Sequence, residues 1–244
     1  MDKCRTHSLS KKFVSWNKGQ TKYTNSSVAK ISQTMRRKHI DNFAVWRCRM
    51  RDCGIIKNTK KALEHSAGLA ELIGVVLGDG HICAFPRTES LTISANAANK
   101  GFIKRYATLV EKVFDKQPAT RKVKGSCCVK ISLYQKNIST RLRIPTGSRR
   151  DLDIKIPRWI VQKKCHLIGC LRGLYEAEGS LSIHKPTYTY KLSFSNKNEA
   201  LLRFVYEGVR RLGFHPHKSK GRIQISRREE VYLCAGLLNF RNYK

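Results

Sequence analysis

The chain has 244 residues with 49 Lys and Arg against 17 Asp and Glu, a formal net charge of +32, and 41% of its residues are hydrophobic. That length suits two small domains or one mid-sized domain with an extension, and the apolar share can build a core, which excludes disorder throughout. No run approaches the ~20 apolar residues of a membrane helix, and so large a positive excess makes a polyanion, nucleic acid, the expected partner.

Residues 1–61 carry 16 basic and three acidic residues, a formal +13, and few long aliphatics. The start, Met1–Ser10, lacks the apolar run of a secretory leader. Helices are expected near Ser26–Arg37 and Asn42–Arg51, and Lys57–Lys61 reads as a solvated linker, so a boundary is expected near residue 60. The run Ser15-Trp-Asn-Lys-Gly-Gln-Thr-Lys22 precedes a basic helix, and together they supply phosphate contacts through Lys18, Lys22, Arg36 and Arg37. The competing reading is a disordered basic tail. Cys4-x-x-His7 and Cys48-x4-Cys53 allow a four-ligand zinc site, against which stand 40 intervening residues and no second signature. Nine irregularly spaced cysteines, two of them adjacent at Cys127 and Cys128, do not make a secreted disulfide framework. Reduced thiols are expected, in the cytoplasm or nucleoid or in an organelle matrix.

The remainder repeats itself. Leu69-Ala-Glu-Leu-Ile-Gly-Val-Val-Leu-Gly-Asp-Gly80 and Leu167-Ile-Gly-Cys-Leu-Arg-Gly-Leu-Tyr-Glu-Ala-Glu-Gly179 are apolar helices ending in an acid and a glycine, with Asp79 and Glu178 99 residues apart. After the first, strands fit His81–Pro86 and Ser90–Ser94, a helix fits Phe102–Phe114, and strands fit Thr120–Lys124 and Cys127–Tyr134. After the second, strands fit Ser180–His184 and Tyr188–Ser195, a helix fits Leu201–Leu212, and strands near His215–Ser219 and Arg222–Ser226 precede a helix over Val231–Phe240. Each half reads helix–strand–strand–helix–strand–strand–helix. The expected fold is therefore α+β, a tandem duplication over residues 62–150 and 151–244 behind the basic extension 1–61.

Ala70, Gly74 and Gly78 recur every four residues, as do Gly169, Gly173 and Ala177, so each helix carries a stripe of minimal side chains. Four glycines inside helices cost roughly 3–4 kcal/mol relative to alanine, which close helix–helix packing must offset. Packing the stripes together brings Asp79 and Glu178 to one end of the interface. Two carboxylates brought together repel unless cations lie between them, and hard oxygen ligands suit Mg²⁺. Glu176 points about 200° around the helix from Glu178 and is read as a surface or scaffold residue.

The paired motifs, their order and the lead-in Ile156-Pro-Arg-Trp-Ile160 resemble the LAGLIDADG homing endonucleases of the monomeric, two-motif form, over residues 62–244. The resemblance implies an αββαββα unit in duplicate, its motif helices meeting at a pseudo-twofold axis and its sheets forming a saddle on double-stranded DNA. It implies a metal site at Asp79 and Glu178 with Gly78 and Ala177 beside them, holding Mg²⁺, with Ca²⁺ or Mn²⁺ as substitutes for binding. It implies, too, a basic residue near each acid at the end of the last strand, here Lys136 and Arg227 or Arg228. The reaction implied is site-specific double-strand cleavage of DNA at a long asymmetric target. The extension resembles small modular DNA-binding segments attached to some such enzymes.

The wet faces of the expected strands offer groove-reading side chains independently of any family. These are Arg87, Thr92, Ser94, Arg121, Lys122, Lys124, Lys130 and Ser132 in the first half. In the second they are His184, Lys185, Thr187, Thr189, Lys191, Ser193, Arg222, Gln224 and Ser226. Alternatives are an RNA maturase bound to a host intron, which would share fold and charge, and a DNA-binding regulator on a dead nuclease. Both motif acids are present, which favours the nuclease. One chain supplies two half-sites, so a monomer is expected.

Overall fold

The computed structural model describes residues 15–55, 59, 61–149 and 152–243, and the chain divides into two compact units, Met1–Asn58 and Thr59–Lys244. In the first unit, helix α1 (Ser26–Arg37) begins where the Asn25 side chain accepts from the amides of Ser27 and Val28. Helix α2 (Ala44–Asp52) follows, and neither helix buries a residue.

The second unit opens with α3 (Ala67–Gly78), capped by the Ser66 hydroxyl. Then come β1 (Gly80–Ala84), β2 (Glu89–Asn96), α4 (Lys100–Phe114), β3 (Ala119–Lys122), β4 (Cys128–Gln135) and a five-residue helix, α5 (Ile138–Leu142). A short helix, α6 (Arg158–Gln162), leads into α7 (Lys164–Glu178). The order then repeats as β5 (Gly179–His184), β6 (Thr189–Ser195), α8 (Glu199–Arg211), β7 (His217–Ser219), β8 (Arg222–Ile225) and α9 (Arg228–Leu237). Asn99 and Asn198 cap α4 and α8 in the same manner, each accepting from the amide three residues on.

Each repeat forms one four-stranded antiparallel sheet, in the orders β1-β2-β4-β3 and β5-β6-β8-β7. Alternation sorts the two faces. Leu91, Ile93, Ile131 and Leu133 are buried in the first sheet, with Tyr106, Val110 and Phe114 of α4 in the same core. Leu192, Phe194, Ile223 and Ile225 are their counterparts, with Leu202, Val205 and Val209 of α8. The opposite faces stay polar. The expected α+β duplication is the fold observed, and α6 and the 3-10 turn Lys185–Thr187 are additions to it.

Candidate active site and nucleic-acid face

Helices α3 and α7 meet along their small residues. A Cβ at Gly74 would lie 2.2 Å from the Cys170 carbonyl oxygen, one at Gly173 2.1 Å from that of Glu71, and one at Gly169 2.5 Å from that of Ala67. At the other end a Cβ at Gly78 would meet the Ala177 Cβ at 2.4 Å. Ala67 beside Gly169 and Gly78 beside Ala177 show that the helices run parallel. Their C-termini, the negative ends of both macrodipoles, therefore converge where Asp79 and Glu178 stand.

That convergence is electrostatically unfavourable. Burial first, and then the Glu178 charge, push the Asp79 carboxyl up to about 7. Asp79 keeps solvent on its open side, and protein crowds the rest of it. Burial likewise raises Glu178, which accepts from Asn196 Nδ2 at 3.4 Å. Neither acid has a basic partner in an ion pair among the described residues. Two hard carboxylates without a counter-cation, beside a cleft of about 620 Å³ lined by Gly78, His81, Arg149, Glu178, Asn196 and Lys197, suit a divalent cation. Among the described residues no group of three or more His, Cys, Asp or Glu side chains gathers for a metal.

The residues flanking the stripes form a buried network. Glu71 accepts from Arg105 Nε and Nη2, both at 2.6 Å, and lies 3.4 Å from Arg172 Nε. Arg172 in turn donates to the Asn242 carbonyl at 2.7 Å. Glu176 is only 6% exposed and accepts from the Arg241 amide and the Tyr243 hydroxyl. Its place is in the scaffold rather than on the surface.

Strand pairing puts Ser94, Lys130 and Arg121 in one row of the open face, and Thr92 and Ser132 in the next with His81. Arg87 is exposed in the β1–β2 turn, Lys124 in the β3–β4 turn, and Lys122 at the edge. In the second sheet, Lys191 pairs with Ser182, Thr189 with His184, and Arg222 with Ser195 and Ser219. Lys185 and Thr187 lie in the 3-10 turn, where Thr187 Oγ1 sits 2.7 Å from His184 Nδ1, and Gln224 Nε2 donates to Ser226 Oγ at 2.8 Å. Ser193 differs from the expectation: it shares the open-face row with Gln224 but is 6% exposed, its hydroxyl donating to Gln224 Oε1. Lys18, Arg36 and Arg37 are exposed in the first unit and Lys22 is half-buried; Cys48 and Cys53 are exposed, while Cys4 and His7 lie outside the described residues.

Two expected residues fall elsewhere. Gly80 pairs with Ile93 and Ile93 with Ile131, so Lys136 lies five residues beyond the level of the glycine that follows the acid, about 16 Å along the strand. Gly179 pairs with Phe194 and Phe194 with Ile223, so Arg227 lies four residues past that level, where it pairs with Glu230 at 3.0 Å. The last strands run away from the acids, not toward them. The basic groups lining the cleft are His81, Arg149 and Lys197, with Asn196 among its polar ones. Of these, His81 was legible as the first open-face position after Gly80, and Arg149 carried no local signal.

Residues 166–244 match the family model of the LAGLIDADG-like domain. No characterised protein matches the chain by sequence. Among solved structures, a variant of I-DmoI bound to its target DNA, nicked in the coding strand and in the presence of Mn, is 22% identical over 72% of this chain and 98% of that one, with a TM-score of 0.51. Full-length DUF199/WhiA from Thermatoga maritima is 14% identical over 72% of this chain and 56% of that one, also at 0.51. I-DmoI is described as a homing endonuclease. These likenesses establish the fold.

Proposed function

With a LAGLIDADG-like domain as its second repeat and the two-repeat LAGLIDADG fold as its frame, we propose that the chain is a site-specific double-strand DNA endonuclease using a divalent metal, Mg²⁺ by preference. The observation that carries this reading is the convergence of Asp79 and Glu178 at the C-termini of two parallel helices, without a counter-cation.

Asp79 and Glu178, with the backbone of Gly78 and Ala177 beside them, would hold the ion. Held there, a divalent ion would supply water activation and stabilisation of the leaving oxygen of a phosphodiester. The chain does the rest by positioning. The open faces of both sheets bind the duplex, with Arg121, Lys130, Lys191 and Arg222 on phosphates and guanine edges and Gln224 suited to adenine. Asn196 orients the Glu178 carboxylate, and the cleft admits the scissile phosphate between the repeats. The two repeats supply two half-sites, so one chain suffices per duplex, and the basic first unit adds phosphate contacts that raise local concentration. Both acids are in place, which favours cleavage over the regulator, and no observation favours an intron RNA partner.

The test begins with a duplex selected from a random library by binding to the intact chain. Asp79→Asn and Glu178→Gln should each lower Mg²⁺-dependent cleavage of that duplex more than ~100-fold while leaving gel-shift affinity within about threefold. Normal cutting by either variant would refute the site.

A further inference from the structure

Neither α3 nor α7 has a basic residue in its last turn, although each ends on an acid at the negative pole of its dipole. The compensation comes from far along the chain. Arg149 Nη2 donates to the Val76 carbonyl at 2.8 Å and to the Gly80 carbonyl, so it grips the turn that holds Asp79 from both sides. Arg241 Nη2 donates to the Gly179 carbonyl at 3.4 Å, the same atom one residue past Glu178. The two arginines occupy matching places in the duplication. Arg149 lies seven residues after α5 and Arg241 four after α9, each in the segment that follows the helix closing its repeat.

Both are themselves held. The Arg149 carbonyl accepts from Asn198 Nδ2 at 3.0 Å, so an arginine gripping the first repeat is anchored by the second. The Arg241 amide donates to Glu176 Oε1 at 2.6 Å. Among the described residues no carboxylate forms an ion pair with Arg149, and its Nη1 is buried without a partner in the wall of the cleft. Its guanidinium therefore acts on the carbonyls of the helix end through hydrogen bonds rather than on an ion-pair partner.

We propose that Arg149 and Arg241 are a matched pair of positioning residues, each fixing the turn behind one motif acid, so that each biases the cleavage of a different DNA strand. The strand assignment rests on the endonuclease reading above, whereas the anchoring does not. Arg149 makes two such bonds from a half-buried place and Arg241 one longer bond from an exposed place, so Arg149 has the larger effect.

The test uses the intact chain and the variants Arg149→Met, Arg149→Lys, Arg241→Met and Arg241→Lys, read in two ways. Amide hydrogen exchange without metal or DNA should accelerate about tenfold in residues 77–81 for Arg149→Met and severalfold in residues 176–180 for Arg241→Met, each leaving the other segment unchanged. Strand-resolved cleavage of the selected duplex should show the two Met variants slowing opposite strands, by about tenfold and severalfold, with substantial recovery in the Lys variants. General destabilisation would instead raise exchange across both repeats and slow both strands alike, and that pattern overturns the proposal. So does unchanged exchange at both turns. A wild-type chain that cuts no duplex counts against the endonuclease reading, and the exchange measurement then decides the anchoring by itself.

Discussion

Helices α3 and α7 are copies offset by 99 residues, and comparing them position by position separates what duplication kept from what it changed. The small residues and the terminal acid are kept. Flanking them, Glu71 stands where α7 has Cys170, and Arg172 stands where α3 has Ile73. Glu71 and Arg172 face each other across the interface, 3.4 Å apart. The kept residues allow two backbones to touch, and the changed ones make the contact directional, since a pair of identical α3 helices would set two buried glutamates together. The same divergence reaches the sheets: Thr92 is half-exposed, while its counterpart Ser193 is buried beneath Gln224.

The largest expected effect tests the kept part. Gly74→Ala and Gly173→Ala each drive a Cβ to within 2.2 Å of a backbone oxygen and should each cost more than about 3 kcal/mol in denaturant melts. A large cost at only one would show that the two stripes are not equivalent. Arg172→Met tests the changed part. It leaves Glu71 with Arg105 alone and removes the Arg172 donor from the Asn242 carbonyl, and a loss of about 2 kcal/mol in the same assay is expected.

The acids themselves give a smaller, pH-dependent effect. Because the folded Asp79 pKa is raised from 3.8 to about 7, its protonated form is favoured by folding. Stability is thus full below about pH 4 and falls as pH rises through about 7. Asp79→Asn should therefore stabilise the metal-free protein above pH 7 by about 1–2 kcal/mol, allowing for solvent on the open side, with no gain below pH 4. Thermal melts across pH check it, and a gain that persists at pH 4 would contradict the sign. The smallest effect should come from Ser193→Ala, which ought to alter base preference in a selection experiment less than Thr92→Ala does.

Much of this was legible in the chain. The element order followed from periodicities of two and of about four, and the acid pair followed from two stripes in the same phase. Alternation reveals which face a strand residue occupies, but not how deep it lies or which end of the strand approaches the site. Ser193 was misjudged for the first reason, and Lys136 and Arg227 for the second. Glu71, Arg172, Arg149 and Arg241 left no local trace, because each acts on a partner dozens of residues away.

An interface made of backbone against backbone asks little of side-chain identity. A repeat from another chain bearing the same stripe would fit against α3 or α7 almost as the native partner does, provided the Glu71–Arg172 pairing were matched. The repeats are therefore exchangeable parts, each carrying its own sheet and, on the endonuclease reading proposed above, half of a recognition surface. On that reading, recombining halves would reach new targets without first evolving a new joint.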